Sequence, residues 1–492
     1  MLALGFISVF AIVMNYKKKA PKEKRVEINR IMLIISIGII LTGIIMLFLP
    51  SHYNLWNVFY ERYSQQMISS GTIPMQDPFS YLGRGYTFVE GYFLFSATSA
   101  WITGYSGKMV FALVQGMLNA FFIVAVLNFV RALKFKLKEQ LVVLLFLLAS
   151  VFIFVTFAMS PKHILALALL LTATAYMIEK DKFALSGGLA AMAAYSQALM
   201  GIMYPILYVL FVRKIDWPKF LKSIAVMILV FGILYLPICA HSGLPYEVNE
   251  STWGYLIKAD LGQALTDLGG LVTVLLLIGF GMTVNVWKKT KFRQKKIIIF
   301  TLLFVFAEIF VTYRVNIFLS LTLAIGFIYV FNKHFKDKWL YIVIILIALF
   351  SVYLNFQVLQ WSTLDEALIV SGNYLNSNSH VDARILSDPL YGHAITYFAQ
   401  RETLSDLYVE YANEEQLNDA YKFIETEDVG ILRKYKIDFV VINRTHIINE
   451  ARNVINYPKP KEITYLNKIV TAKEIDVYAT NEGRYPCGTG AN

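Results

Sequence analysis

"IIIFTLLFVFAEIFVTYRVNIFLSLTLAIGFIYVFN" runs from Ile297 to Asn332. A helix needs about 20 apolar residues to cross a bilayer. These 36 residues are too many for one span and fit a tight out-and-back pair. The stretch therefore decides the fold class: a polytopic α-helical membrane protein. Composition agrees, with 57% hydrophobic and only 16% charged residues, against about 25% charged in soluble domains. Two ionisable residues, Glu308 and Arg314, interrupt the run near its middle. Ionisable groups are costly in hydrocarbon and face a cavity, a partner or a substrate. A buried ion pair, or an arginine snorkelling to the interface, explains them equally well.

Short basic clusters separate the other apolar runs: Lys17–Arg30, Arg131–Lys138, Glu179–Lys182, Arg213–Lys222, Lys288–Lys296 and Lys333–Lys338. Basic loops face the cytoplasm. With all six inside, one threading is consistent. Ile31–Leu49 goes out, Met109–Val130 in and Leu141–Ala158 out. "MSPKH" (Met159–His163) is an outer turn, and Ile164–Ile178 returns. Phe183–Val212 is a short hairpin. Phe220–Leu236 goes out, Leu268–Trp287 returns, 297–332 forms the pair and Leu340–Gln357 goes out. Residues 1–358 form the membrane domain, with outer loops at 50–107 and 240–267. Whether Met1–Met14 makes a further span is left open.

The C-terminal part differs in character. Residues 380–492 hold 13 Lys/Arg against 17 Asp/Glu, whereas the whole chain carries +11. "ARILSD" (Ala383–Asp388), "IDFVVIN" (Ile437–Asn443) and "IDVYAT" (Ile475–Thr480) read as strands. "NEEQLNDAYKFIE" (Asn413–Glu425), with Asn413 as N-cap and Gln416 three residues on, and "DVGILRKYK" (Asp428–Lys436) read as helices. Residues 381–485 are thus a small α/β extracytoplasmic domain, joined by a linker at 359–380 and followed by a disordered tail at 486–492.

The outer loop 50–107 holds the chemistry. "NLWNVFYERYSQQMIS" (Asn54–Ser69) spaces Leu55, Phe59, Tyr63 and Met67 four apart, as an interfacial helix does. Gly71 ends it, "IPMQDPFSY" (Ile73–Tyr81) is a Pro-punctuated turn, and "VEGYFLFSATSAWI" (Val89–Ile102) is a second short helix. Its many aromatics, Tyr60 and Tyr81 among them, suit an interfacial belt and equally suit stacking on sugars. The chain has no P-loop, GxSxG, HExxH or CxxC motif. Two cysteines cannot build a disulfide framework. Seven scattered histidines give no metal site; a divalent metal stays open, with no clear ligand set. The basic clusters are cytoplasmic loops, not a nucleic-acid surface.

What remains at the outer face is a limited set of carboxylates, Glu61, Asp77, Glu90, Glu247, Glu250, Asp260, Asp267 and Glu308, and fewer cations, Arg62, Arg84, Lys162, Lys258 and Arg314. That inventory suits transfer from an anionic lipid-linked sugar. A carboxylate takes the acceptor's proton, and a cation holds the leaving phosphate. Glu61 or Asp77 could be the base and Arg314 the phosphate ligand, oriented by Glu308. Glu61 also fits a solvated helix face, and Asp77 before Pro78 also fits a turn former.

"QMISSGTIPMQDPFSY" (Gln66–Tyr81), "GGLAAMAAYSQALMGIMYPILYVLF" (Gly187–Phe211), "YRVNIFLSLTLAIGFIYVF" (Tyr313–Phe331) and "ILSDPLYGHAITYFAQRETLSD" (Ile385–Asp406) together resemble the GT-C superfamily of polyprenyl-phosphate-dependent glycosyltransferases. Oligosaccharyltransferase catalytic subunits and protein mannosyltransferases belong to that superfamily. The resemblance implies a GT-C-like helical bundle in the cell membrane. It also implies a lipid-linked sugar donor, membrane lipid as a partner and an acceptor left unidentified. It implies Glu61 or Asp77 as the catalytic residue, with Arg314, Glu308, Tyr60 and Tyr81 binding substrate. Two departures stand out. The family's acidic position after the first span falls on Trp56-Asn57, leaving Glu61 as the nearest acid. The turn that is acidic in many metal-dependent members is "MSPKH". A catalytically inactive scaffold in surface-polysaccharide or glycoprotein assembly is therefore the alternative reading, and a transporter or flippase the third.

Overall fold

The computed structural model describes residues 55–81, 84–85, 91–104, 107–179, 182–212, 215–242, 292–310, 316–334, 342, 345–347, 349–355, 364–406, 414–443 and 463–483. Expectations for residues 1–54, the loop 240–267 beyond Ser242, the span Leu268–Trp287, the cap at Asn413 and the tail 486–492 lie outside them.

The interfacial loop forms α1 (Leu55–Ser70), a two-residue ribbon of β1 (Gln76–Asp77) with β2 (Arg84–Gly85), and α2 (Gly91–Thr103). Gly71, at φ 68°, ends α1 as its lack of a Cβ permits. Then come α3 (Gly107–Ala132), α4 (Leu137–Ala149), α5 (Val151–Met159), α6 (Pro161–Glu179), α7 (Phe183–Ser196), α8 (Ala198–Phe211), α9 (Trp217–Ser242), α10 (Phe292–Phe310) and α11 (Asn316–His334). Among the described residues three helices are long and apolar enough to cross a membrane: Val114–Ala132, Pro161–Glu179 and Trp217–Ala240. The first two are mostly buried within the bundle, whereas α9 turns Leu221, Ile228, Leu229, Ile233 and Leu236 outward. An apolar helix also lies at Ile345–Asn355.

The sequence expectation of one span over Leu141–Ala158 needs correction. Ser150, at φ −71° and ψ 128°, breaks it into α4 and α5. A break in hydrocarbon leaves carbonyls that must find donors. Asn355 Nδ2 donates to the carbonyls of Leu148 (3.2 Å) and Ala149 (3.0 Å), and Ser351 Oγ donates to Ala149 as well (3.1 Å). Polar residues of a late helix thus repair an early one. The hairpin expected over Phe183–Val212 is formed by α7 and α8 about the extended residue Gln197. Tyr204 stitches it: its hydroxyl lies 2.6 Å from both Ser186 Oγ and Ser223 Oγ. At the apex, Ser196 packs so closely on Gly91 that a Cβ there would come within 2.6 Å of Ser196 Oγ. The apex therefore marks the same end of the bundle as α2. Lys296 Nζ holds the opposite end through the Val209 and Val212 carbonyls (3.0 and 3.2 Å).

The C-terminal unit contains α12 (Glu366–Asn378), β3 (Arg384–Ser387), α13 (Pro389–Ala399), β4 (Glu402–Thr403), α14 (Glu414–Thr426), α15 (Val429–Tyr435), β5 (Phe439–Asn443), β6 (Asn467–Ala472) and β7 (Ile475–Ala479). Its sheet has the order β4-β3-β5-β7-β6; β3 runs parallel to β4 and β5, and β7 antiparallel to β5 and β6. Successive strand residues point to opposite faces. Ile385, Val441 and Val477 accordingly pack under α12 and α13, while Leu386, Val440 and Tyr478 pack against α14 and α15. The stretch read as a linker, 359–380, includes α12, whose Leu368 and Leu375 are core residues of this unit. Val58 of α1 enters the same core, so the interfacial loop is clamped between the unit and the bundle.

Candidate functional site

The apolar stripe of α1 seats the helix, and the residues between carry charge. Tyr63 and Met67 are buried against α2, with the Tyr63 and Phe93 rings 4.7 Å apart. Side chains of consecutive helical residues diverge by about 100°. Tyr60, Glu61 and Arg62 therefore face three directions.

Tyr60 faces the bundle. Its ring lies 5.8 Å from Phe93 and 6.2 Å from Tyr92. Lys162, in the first turn of α6, reaches this cluster: its ammonium stands 5.7 Å from the Tyr60 ring and 5.5 Å from the Phe93 ring. Lys162 is buried, so this cation is held by aromatic faces as well as charge. Glu61 is only 2% exposed and accepts a hydrogen bond from Gln65 Nε2 at 3.0 Å. Burial pushes the Tyr92 phenol well above its ordinary pKa, and the nearby Glu61 carboxylate adds to the shift. An ammonium and three aromatic rings thus meet where α1, α2 and α6 converge, with the Glu61 carboxylate near Tyr92.

Arg62 and Asp77 form a second, separate centre. Arg62 Nη2 lies 2.5 Å from Asp77 Oδ2, with the two side chains 5% and 0% exposed. The other carboxylate oxygen, Oδ1, accepts the Phe79 N–H at 3.1 Å. Asp77 thus forms a turn and an ion pair at once. The guanidinium lies between Phe59 and Phe79, 5.7 and 6.0 Å from their ring centres.

Tyr81 faces the C-terminal unit. Its ring lies 5.3 Å from Tyr435, and the Arg384 guanidinium stands 4.5 Å from it. Glu308 is in the last turn of α10, with its side chain outside the described residues; Arg314 also lies outside them. Sequence reasoning overlooked Lys162 as a member of the site and His393 as its neighbour. A lysine directly after a proline at the start of a largely apolar helix was the available signal for the first. The second had none. His393 Nδ1 stands 3.1 Å from Asp406 Oδ2, both are buried, and the imidazole ring is 4.8 Å from Phe59. Among the described residues no three His, Cys, Asp or Glu side chains converge as a metal site would require. Asp77 is already bonded to Arg62.

No protein-family model and no curated protein sequence matches the chain. Solved structures do. The archaeal oligosaccharyltransferase AglB of Archaeoglobus fulgidus, in complex with an inhibitory peptide and a dolichol-phosphate, superposes with TM-score 0.63 at 12% identity, over 93% of this chain and 75% of that one. ArnT of Cupriavidus metallidurans, bound to undecaprenyl phosphate, gives 0.60 at 11% identity, over 92% and 98%. The arabinofuranosyltransferase AftD from Mycobacteria gives 0.57 at 11% identity, over 94% of this chain and 40% of that one. The chain has the GT-C fold. Together with its apolar helices, the GT-C fold makes it an integral membrane protein. At these identities the GT-C likeness extends to architecture and not to individual side chains.

Proposed function

We propose that the chain transfers a glycosyl group from a polyprenyl-phosphate-linked donor to an acceptor at the outer face of the membrane, with the C-terminal unit outside. The observation that carries this reading is the buried Glu61 carboxylate near Tyr92, next in sequence to the Tyr60 whose ring meets Lys162, on the helix that also enters the core of the C-terminal unit through Val58. AglB and ArnT, which share the fold, hold dolichol-phosphate and undecaprenyl phosphate.

In this reading Glu61 takes the proton from the acceptor's nucleophilic atom as that atom bonds to the sugar's anomeric carbon. The anomeric C–O bond breaks, and its electron pair leaves with the lipid phosphate. Lys162 and Arg314 offset the charge growing on that phosphate. Tyr60 offers a ring to the sugar face. Glu61 is preferred to Asp77 as base because Asp77 is committed to Arg62 and the Phe79 N–H. The scaffold reading is favoured by a different observation: Glu61 and Asp77 are both closed off from water.

A labelled polyprenyl-phosphate sugar, incubated with the protein and a membrane extract as acceptor source, separates the two. The expected result is loss of label from the lipid with wild type and none with Glu61→Gln. No turnover by wild type across a panel of such donors would leave the scaffold.

A further inference from the structure

The chemistry above leaves Arg62 unused. Its side chain is 5% exposed and spends one Nη2 bond on Asp77. Among the described residues, Nε and Nη1 have no hydrogen-bond partner. One turn on, Gln66 likewise leaves both Nε2 and Oε1 without a partner among the described residues. A guanidinium has five N–H donors and no acceptor, and buried donors in folded proteins are matched with few exceptions. This chain matches them elsewhere. Arg401, equally buried, donates to the carbonyls of Asn376, Ser379, Ala399 and Gln400. That is how an arginine with a purely structural task is held here. Arg62 is instead anchored at one nitrogen, covered on its faces by two rings, and left with donors to spare.

We propose that Arg62 is an oxyanion ligand that takes a phosphate oxygen of a polyprenyl phosphate, with Asp77 fixing the guanidinium from the other side. The lipid source rests on the glycosyltransferase reading; the oxyanion chemistry rests on Arg62 itself. Arginine suits the task because its planar, directed donors match phosphate oxygens. Access runs past Phe79, which is only half-buried, and the residues flanking Asp77, Gln76 and Pro78, are exposed. The pair thus lies one residue beneath the surface.

The probes are undecaprenyl phosphate, undecaprenol and inorganic phosphate, each titrated into wild type, Arg62→Lys and the neutral pair Arg62→Gln with Asp77→Asn. Wild type should bind undecaprenyl phosphate saturably. Arg62→Lys keeps the charge and should bind at least about tenfold more weakly, and the neutral pair should show no phosphate-dependent binding. Undecaprenol binding as tightly as its phosphate overturns the proposal, because the chain alone then suffices. Inorganic phosphate binding as tightly overturns the lipid assignment. Should the variants fail to fold, a structure of wild type with undecaprenyl phosphate decides. A phosphate oxygen about 2.7–2.9 Å from Arg62 Nε or Nη1 supports the proposal. A lipid phosphate held elsewhere, with Arg62 unchanged, overturns it. That last result leaves the glycosyltransferase reading standing, since donor turnover lost in Glu61→Gln tests that reading independently.

Discussion

Tyr81 and Thr403 lie at opposite ends of the chain, yet the Tyr81 N–H donates to the Thr403 carbonyl at 3.1 Å, and the Thr403 N–H donates to the Phe79 carbonyl at 2.9 Å. The Phe79–Tyr81 segment thereby lies along the edge of the C-terminal sheet, in a parallel bridge beside β4. A sheet edge binds extended chain through backbone bonds and reads it through side-chain pockets. Here the added segment comes from the same molecule. It ties Asp77, two residues before Phe79, to the C-terminal unit.

This mooring predicts a local effect from Tyr81→Ala. The ring's contacts with Arg384 and Tyr435 are each worth about 1 kcal/mol. Amide hydrogen exchange in residues 76–81 should speed several-fold, while β5 and β7 stay protected. Unchanged exchange there would show that the backbone bonds suffice without the ring.

Glu61 and Asp77 should separate by phenotype. Glu61→Gln keeps shape and the contact with Gln65, so the thermal midpoint should move little while glycosyl transfer falls about 10²–10⁴-fold. Asp77→Ala leaves the buried Arg62 without its counter-charge and should cost about 3–5 kcal/mol of stability. Melting in detergent beside turnover checks both. An Asp77→Ala protein as stable as wild type would remove the structural role assigned to the pair.

Arg314 and Glu308 allow a sharper contrast. If Arg314 binds a lipid phosphate, Arg314→Met should leave stability near wild type and abolish lipid binding. If the two are a structural ion pair, Arg314→Met should destabilise by several kcal/mol, and adding Glu308→Gln should restore the loss. Thermal melts of both singles and the double, with lipid titration, choose between these outcomes.

The boundary of the C-terminal unit is also testable. A fragment starting at residue 381 lacks α12 and exposes the face of α13 that Leu368 and Leu375 cover. Residues 364–483 expressed alone should melt cooperatively, and residues 381–485 should not. Equal circular-dichroism melts would show that α12 is dispensable.

Acid should weaken this unit in a defined window. Asp428 caps α15, accepting the Gly430 N–H at 2.9 Å and pairing with Lys422 at 3.3 Å. The Gly430 N–H, with Lys422 second, holds its pKa below the ordinary carboxylate value. Arg433 does the same for Glu482. A depressed folded pKa means that the stabilisation is complete above the unfolded value, about 4, and is lost as pH falls through the folded value. The midpoint should be flat above about pH 5 and fall below about pH 4, less steeply in Asp428→Asn.

The membrane class, a packed pair of helices over 297–332, the short hairpin and the strands of the C-terminal unit were legible in the sequence. Each follows from a local rule: apolar length against bilayer thickness, or a short β-branched and aromatic run bounded by polar and turn-forming residues. The contacts that make a site were not. Nothing local says that Asn355 repairs the break at Ser150, or that Phe79–Tyr81 joins a sheet whose nearest strand begins three hundred residues later. Asp77 read equally as a base or a turn former, because one carboxylate can serve either use. Only the folded chain, by bringing Arg62 and the Phe79 N–H to its two oxygens, committed it. Charge and hydropathy are properties of segments, which a sequence states outright. The hydrogen-bond partner of a buried polar atom is a property of the packed whole, because it depends on which distant segment closes over it.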